Sequence, residues 1–116
     1  MDRDTLQENW NAYLDAYGAE DPEERARLLA RSVTDDVVFT NPAGDGRTRA
    51  GLEAHIAAFQ KGNPGAYFAT DRLFPQEDKM LAIWSLYSRD GTRRATGYNF
   101  VRPDETGRFS YLAGFF

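Results

Sequence analysis

Gly91-Thr92-Arg93-Arg94-Ala95-Thr96-Gly97-Tyr98-Asn99-Phe100-Val101-Arg102-Pro103-Asp104-Glu105-Thr106-Gly107-Arg108-Phe109-Ser110-Tyr111-Leu112-Ala113-Gly114-Phe115-Phe116 is the stretch that decides the fold. Two β-rich runs flank the turn residues Pro103 to Gly107, the pattern of a hairpin with a loop of several residues. Strand side chains alternate, so Ala95, Gly97, Asn99 and Val101 share one face and Thr96, Tyr98 and Phe100 the other. In the second run Leu112, Gly114 and Phe116 oppose Phe109, Tyr111, Ala113 and Phe115. Both faces are therefore apolar, and a sheet covered on both sides needs two partners. The small-residue face is expected to open a cavity around Asn99 beneath helices. The aromatic face is expected to meet a second copy of the chain, since monomers rarely leave so large an apolar patch in water.

Upstream, Asp90-Gly91 is a hairpin signal, with a strand before it from about Lys79 to Ser88. Pro75-Gln76-Glu77-Asp78 is a turn, and Ala66 to Phe74 a further strand. These four runs form a meander. Gly62-Asn63-Pro64-Gly65 ends a helix from about Thr48 to Lys61 whose stripe is Leu52, His55, Ile56 and Phe59. Asn41 to Gly46 reads as a loop, preceded by a short strand, Val37 to Thr40. Asp21-Pro22-Glu23-Glu24 starts a helix: Asp21 caps, Pro22 fits the first position and Glu24 suits the dipole. That helix is expected to run to about Arg31 and to bury Ala26, Leu29 and Ala30, with Val33 as a further candidate. Leu6, Trp10, Tyr13, Leu14 and Tyr17 recur at helical spacing, with Gly18 as a stop. The result is an α+β fold with the three helices on one face of a curved sheet.

At 116 residues a single domain over 1–116 is the default, and it is large enough to bury a core unaided. The absence of Cys removes disulfides, thiolate chemistry and Cys-ligated metals. One His and scattered carboxylates give no metal constellation, no Gly-rich phosphate loop is present, and no cofactor is implied. A net charge of −4 with interspersed signs argues against nucleic acid. There is no signal-peptide core or membrane-length apolar run, so a cytoplasmic protein is expected.

Three stretches together resemble the nuclear-transport-factor-2-like cone fold, which includes the SnoaL-like polyketide cyclases and the ketosteroid isomerases. They are Asp35 to Gly44, Arg49 to His55, and Asn99 to Phe109; the resemblance implies a cone-shaped, curved, mixed but mostly antiparallel sheet with the three N-terminal helices on its concave face. The resemblance to the isomerases implies a general-base position just before Pro-x-Gly, here Asn41, and an oxyanion-hole position before the Asp-Glu-x-Gly-Arg turn, here Asn99. It implies an oxyanion-hole Tyr on the first helix: Tyr13, with Tyr17 second. An Asn99 amide still donates a hydrogen bond, but Asn41 takes no proton, so the relatives' base is missing.

His55 is then the one side chain that titrates near neutral pH, either a general acid or base inside the cone or a histidine tied to backbone. Asn41 is either a pocket amide or a turn residue before Pro42; Asn99, mid-strand beside small residues, needs a partner if buried. Trp10, Tyr13 and Tyr17 are either core or site, and Trp84 lies on a face whose side parity leaves open. Phe39, Phe59, Leu112 and Phe116 complete the expected aromatic and aliphatic lining. The expected role is a pocket for a small apolar carbonyl or hydroxyl compound, with His55, Asn99 and Tyr13 as the catalytic candidates for isomerisation, cyclisation or dehydration. The alternative is a non-catalytic binding or dimerisation module.

Overall fold

A computed structural model describes residues 2–116. Three helices, α1 (Arg3–Gly18), α2 (Pro22–Ser32) and α3 (Arg49–Gly62), accompany six strands: β1 (Val33–Asn41), β2 (Gly44–Arg47), β3 (Tyr67–Gln76), β4 (Lys79–Tyr87), β5 (Arg93–Pro103) and β6 (Phe109–Phe115). The strands form one curved, open sheet in the order β2-β1-β6-β5-β4-β3. Every pairing is antiparallel except β1 with β6, which is parallel and places the last strand mid-sheet.

Local chemistry accounts for the helix ends. The Asp21 carboxylate accepts from the Glu23 and Glu24 amides, with Pro22 in the first turn of α2. Thr48 caps α3 through the Gly51 amide. Gly18 is needed for close approach, since a Cβ there would stand 3.2 Å from Tyr67 Cβ on β3. The Asp90-Gly91 turn closes with Gly91 at φ 85°, and Asp90 accepts from the Ser88 hydroxyl and the Thr92 amide.

Several expectations are corrected. The Asn41–Gly46 segment is not all loop, because Gly44–Arg47 folds back as β2, with Phe39 opposite Gly46. A Cβ on Gly46 would stand 2.5 Å from the Phe39 ring, so a strand of weak propensity forms where only glycine fits. The first strand begins at Val33, with a register shift between Val33 and Val38. On α2, Ala30 is exposed and Ala26 half-buried; Arg25, Leu29 and Ser32 are buried instead. Arg25 is held by donating to the Ala19 carbonyl at 2.7 Å. Phe109 is not on the outer face. A register shift between Arg102 and Pro103 turns it inward, fully buried against Trp10.

The core lies between the helices and the concave face, with Trp10, Leu29, Leu52, Ile56, Met80, Val101 and Phe109 at its centre. Burying such side chains contributes about 1.5–3 kcal/mol each. Two buried amides lock the helices to distant backbone. Asn9 donates to the Gly107 carbonyl (2.9 Å), and Gln60 donates to the Tyr17 and Ala66 carbonyls (2.6 and 2.8 Å).

Candidate functional site

The wide end of the cone stays hollow, a cavity of about 180 Å³. From α1 come Tyr13 and Tyr17, from β1 Phe39 and Asn41, and from α3 His55 and Phe59. Trp84, Asn99, Leu112 and Phe116 close the sheet side. Among the expected lining residues Trp10 alone does not reach it. It is fully buried, packed on Tyr13 and Phe109 deeper in the cone, and its indole N–H meets no acceptor among the described residues. Leu14, Phe68, Leu86 and Gly114 also line the space and were not singled out from sequence. Phe68 packs edge-on against Trp84 and Tyr17, and the period-two pattern of β3 would have revealed it had its face been fixed.

The question left open for Trp84 is answered by register. Trp84 pairs with Gly97 and shares the concave side with Ala82 and Asn99. The ring lies across Gly97, where a Cβ would stand 2.3 Å from Trp84 Cζ2. Its Nε1–H donates to Asn99 Oδ1 at 2.9 Å. An indole N–H only donates, so the amide oxygen is identified as the contacting atom.

Tyr13 and Tyr17 share a hydroxyl hydrogen bond of 3.3 Å. Burial, then the neighbouring Tyr17, pushes the Tyr13 phenol well above its ordinary value of 10.0, and burial also raises Tyr17. Both are neutral hydrogen-bonding groups, not proton donors to solvent at neutral pH. His55 is half-buried beside Phe39 (ring centroids 5.4 Å apart) and makes no hydrogen bond to a described residue. Burial lowers its pKa from 6.5, so the imidazole is neutral at pH 7 with an accepting nitrogen available. Asn41 behaves as the turn reading expected: its Oδ1 accepts from the Ala43 amide at 2.8 Å, although it also borders the cavity. No Lys, Arg, Asp or Glu lines the space among the described residues, and these hold no metal-type cluster.

A SnoaL-like domain model matches residues 10–111. The chain belongs to the SnoaL-like family. Its three helices and mixed sheet are the nuclear-transport-factor-2-like α+β fold. A solved SnoaL-like family protein from Agrobacterium tumefaciens str. C58, provisionally described as an isomerase, is 26% identical, with a TM-score of 0.88 over 97% of each chain. An NTF2-like protein of unknown function from Exiguobacterium sp. 255-15 is 19% identical, with a TM-score of 0.75 over 91% of this chain and 95% of that one. A provisionally described polyketide cyclase from Sinorhizobium meliloti is 17% identical, with a TM-score of 0.72 over 91% and 92%. No curated protein matches the sequence. No described helix of this SnoaL-like domain is long and apolar enough to cross a membrane.

Proposed function

We propose that this SnoaL-like domain binds a compact, uncharged, mostly apolar compound carrying an oxygen, and that His55 is the proton-transfer group where that compound is turned over. The observation that carries this is one cavity bringing together His55, Asn99, Tyr13 and Tyr17 within an otherwise apolar, uncharged wall. An ionised ligand would lose its hydration without gaining a counter-charge, at a cost of several kcal/mol. An oxygen, by contrast, finds N–H and O–H donors. A neutral imidazole at such a site abstracts an acidic C–H proton while those donors hold the developing oxyanion, the step shared by isomerisation, cyclisation and dehydration of carbonyl compounds. The isomerase description of the 26%-identical relative agrees with that class.

The test is hydrogen–deuterium exchange at the acidic C–H of a bound cyclic ketone. Wild type is expected to accelerate exchange and His55→Ala to lose the acceleration; equal rates remove His55 from the chemistry. A second, non-catalytic reading is favoured by Asn at both positions where the isomerases carry acids, and by His55 lacking a carboxylate to orient it. Binding without exchange in wild type would select it.

We also propose self-association through the outer sheet face. Four of the six exposed large hydrophobics, Phe74, Leu81, Tyr98 and Phe115, stand on that face. Concentration on one face, not exposure of any single residue, is what marks an interface. Light scattering at micromolar concentration should report a dimer.

A further inference from the structure

Resting on the pocket reading, we infer that the cavity prefers a neutral single-ring ketone or enone over the matching alcohol or hydrocarbon, and that Trp84 is the positioning residue that sets this preference. Three observations lead there. First, the size is small. About 180 Å³ compares with the roughly 150 Å³ that admits benzene in an engineered protein cavity, so one ring and a short substituent fill it.

Second, the Asn99 amide is held one way round. With Oδ1 taken by the Trp84 indole at 2.9 Å, Nδ2 is left over, and no described residue accepts its protons. Gly114 keeps the neighbouring space open: a Cβ there would stand 3.4 Å from Asn99 Oδ1 and 3.8 Å from Nδ2. Trp84 reaches Asn99 only because Gly97 lacks a side chain beneath its ring.

Third, the tyrosines supply another donor. Tyr13 and Tyr17 have two hydroxyl protons and one hydrogen bond between them, so one proton remains for the cavity whichever hydroxyl donates. Asn41 Oδ1 already accepts from the Ala43 amide. The wall thus offers protons and keeps few acceptors. A carbonyl oxygen takes those protons without bringing one of its own. A hydroxyl brings a proton that competes for the His55 nitrogen or goes unpaired, and a hydrocarbon leaves the donors unpaired.

The experiment is calorimetric titration of the full chain with acetophenone, 1-phenylethanol, ethylbenzene and benzoate. Wild type should bind acetophenone about tenfold tighter than 1-phenylethanol or ethylbenzene, a difference of about 1.4 kcal/mol, and should not bind benzoate. Trp84→Phe keeps an aromatic ring but frees the amide, so the ketone preference should fall below about threefold while ethylbenzene affinity holds. Asn99→Leu should abolish the preference independently, which keeps the inference testable if Trp84→Phe does not fold. The Asn99 side-chain NH₂ resonances should move with acetophenone and not with ethylbenzene. Equal binding of acetophenone and ethylbenzene to wild type overturns the inference and leaves the pocket reading standing. Failure of all three neutral compounds overturns both. Full preference retained in Trp84→Phe removes Trp84 from the role.

Discussion

The substitution Gln60→Glu changes one nitrogen to oxygen at the junction of α1, α3 and the start of β3. Gln60 is 7% exposed. Its Nε2 donates to the Tyr17 and Ala66 carbonyls at 2.6 and 2.8 Å, and its Oε1 accepts from the Gly65 amide at 3.3 Å. An ionised glutamate keeps the third bond and loses the first two, leaving two carbonyls facing a carboxylate. Each orphaned buried acceptor costs about 1–3 kcal/mol, so a loss of about 3 kcal/mol is a conservative total. A chain of 116 residues unfolds with an entropy of about 0.24 kcal/mol/K, so Tm should fall by about 12 °C. The pH dependence has a definite sign. Burial and the two carbonyls raise the folded pKa of the introduced carboxyl above the unfolded value of about 4.3. The protonated acid regains a donor, so the deficit against wild type should be largest at neutral pH and shrink as pH falls towards and below that value. Thermal melts by circular dichroism across pH 4–8, with urea titrations at the two ends, would show this. A Tm within about 4 °C of wild type at pH 7 would refute the clamp, because it would mean the two carbonyls find water or other donors.

Gly97→Ala should cost about 1–3 kcal/mol in urea unfolding, since the new Cβ would lie 2.3–2.4 Å from the Trp84 ring and force it off Asn99. Burial lowers the His55 pKa, so the unfolded chain takes that proton first. The group therefore removes stability as pH drops from 6.5 to its lower folded value and has no effect above 6.5, and His55→Gln should flatten that part of a stability–pH profile. The rise of exchange catalysis by His55 with pH should have its midpoint below the ordinary imidazole value of 6.5 for the same reason. Tyr98→Glu should give a monomer in multi-angle light scattering while the chain stays folded by circular dichroism, because that side chain is exposed in the single subunit.

What could be read from the chain was whatever short-range geometry controls. Asp21-Pro22 announced a helix start because cap chemistry acts within three residues, and Asp90-Gly91 announced a turn because φ 85° suits glycine. Alternation put Asn99 on the inner face correctly. It misplaced Phe109, because parity survives only until a register shift, and the shift at Arg102 and Pro103 has no local signature. β2 was hidden because Gly44-Asp45-Gly46-Arg47 has almost no strand propensity; it forms because the Phe39 ring needs the space over Gly46. In the cavity, spacing and resemblance pointed to most of the ring-bearing residues, but missed Phe68, wrongly included Trp10 and left the side of Trp84 open. What each one bonds to, such as Trp84 to Asn99 or Gln60 to Tyr17, spans 15 and 43 residues and belongs to the tertiary fold.

The strand order has a consequence for assembly. β6 is the last of the described strands in chain order, yet it is the bridge between β1-β2 on one flank and β5-β4-β3 on the other. Until Phe109–Phe115 emerges from the ribosome, the two flanks have no shared edge, and each exposes a bare row of amides and carbonyls where the newcomer must dock. Completion of the sheet is therefore a late, long-range event during synthesis, and a chain stopped just before Phe109 would lack the one strand through which the two flanks hydrogen-bond.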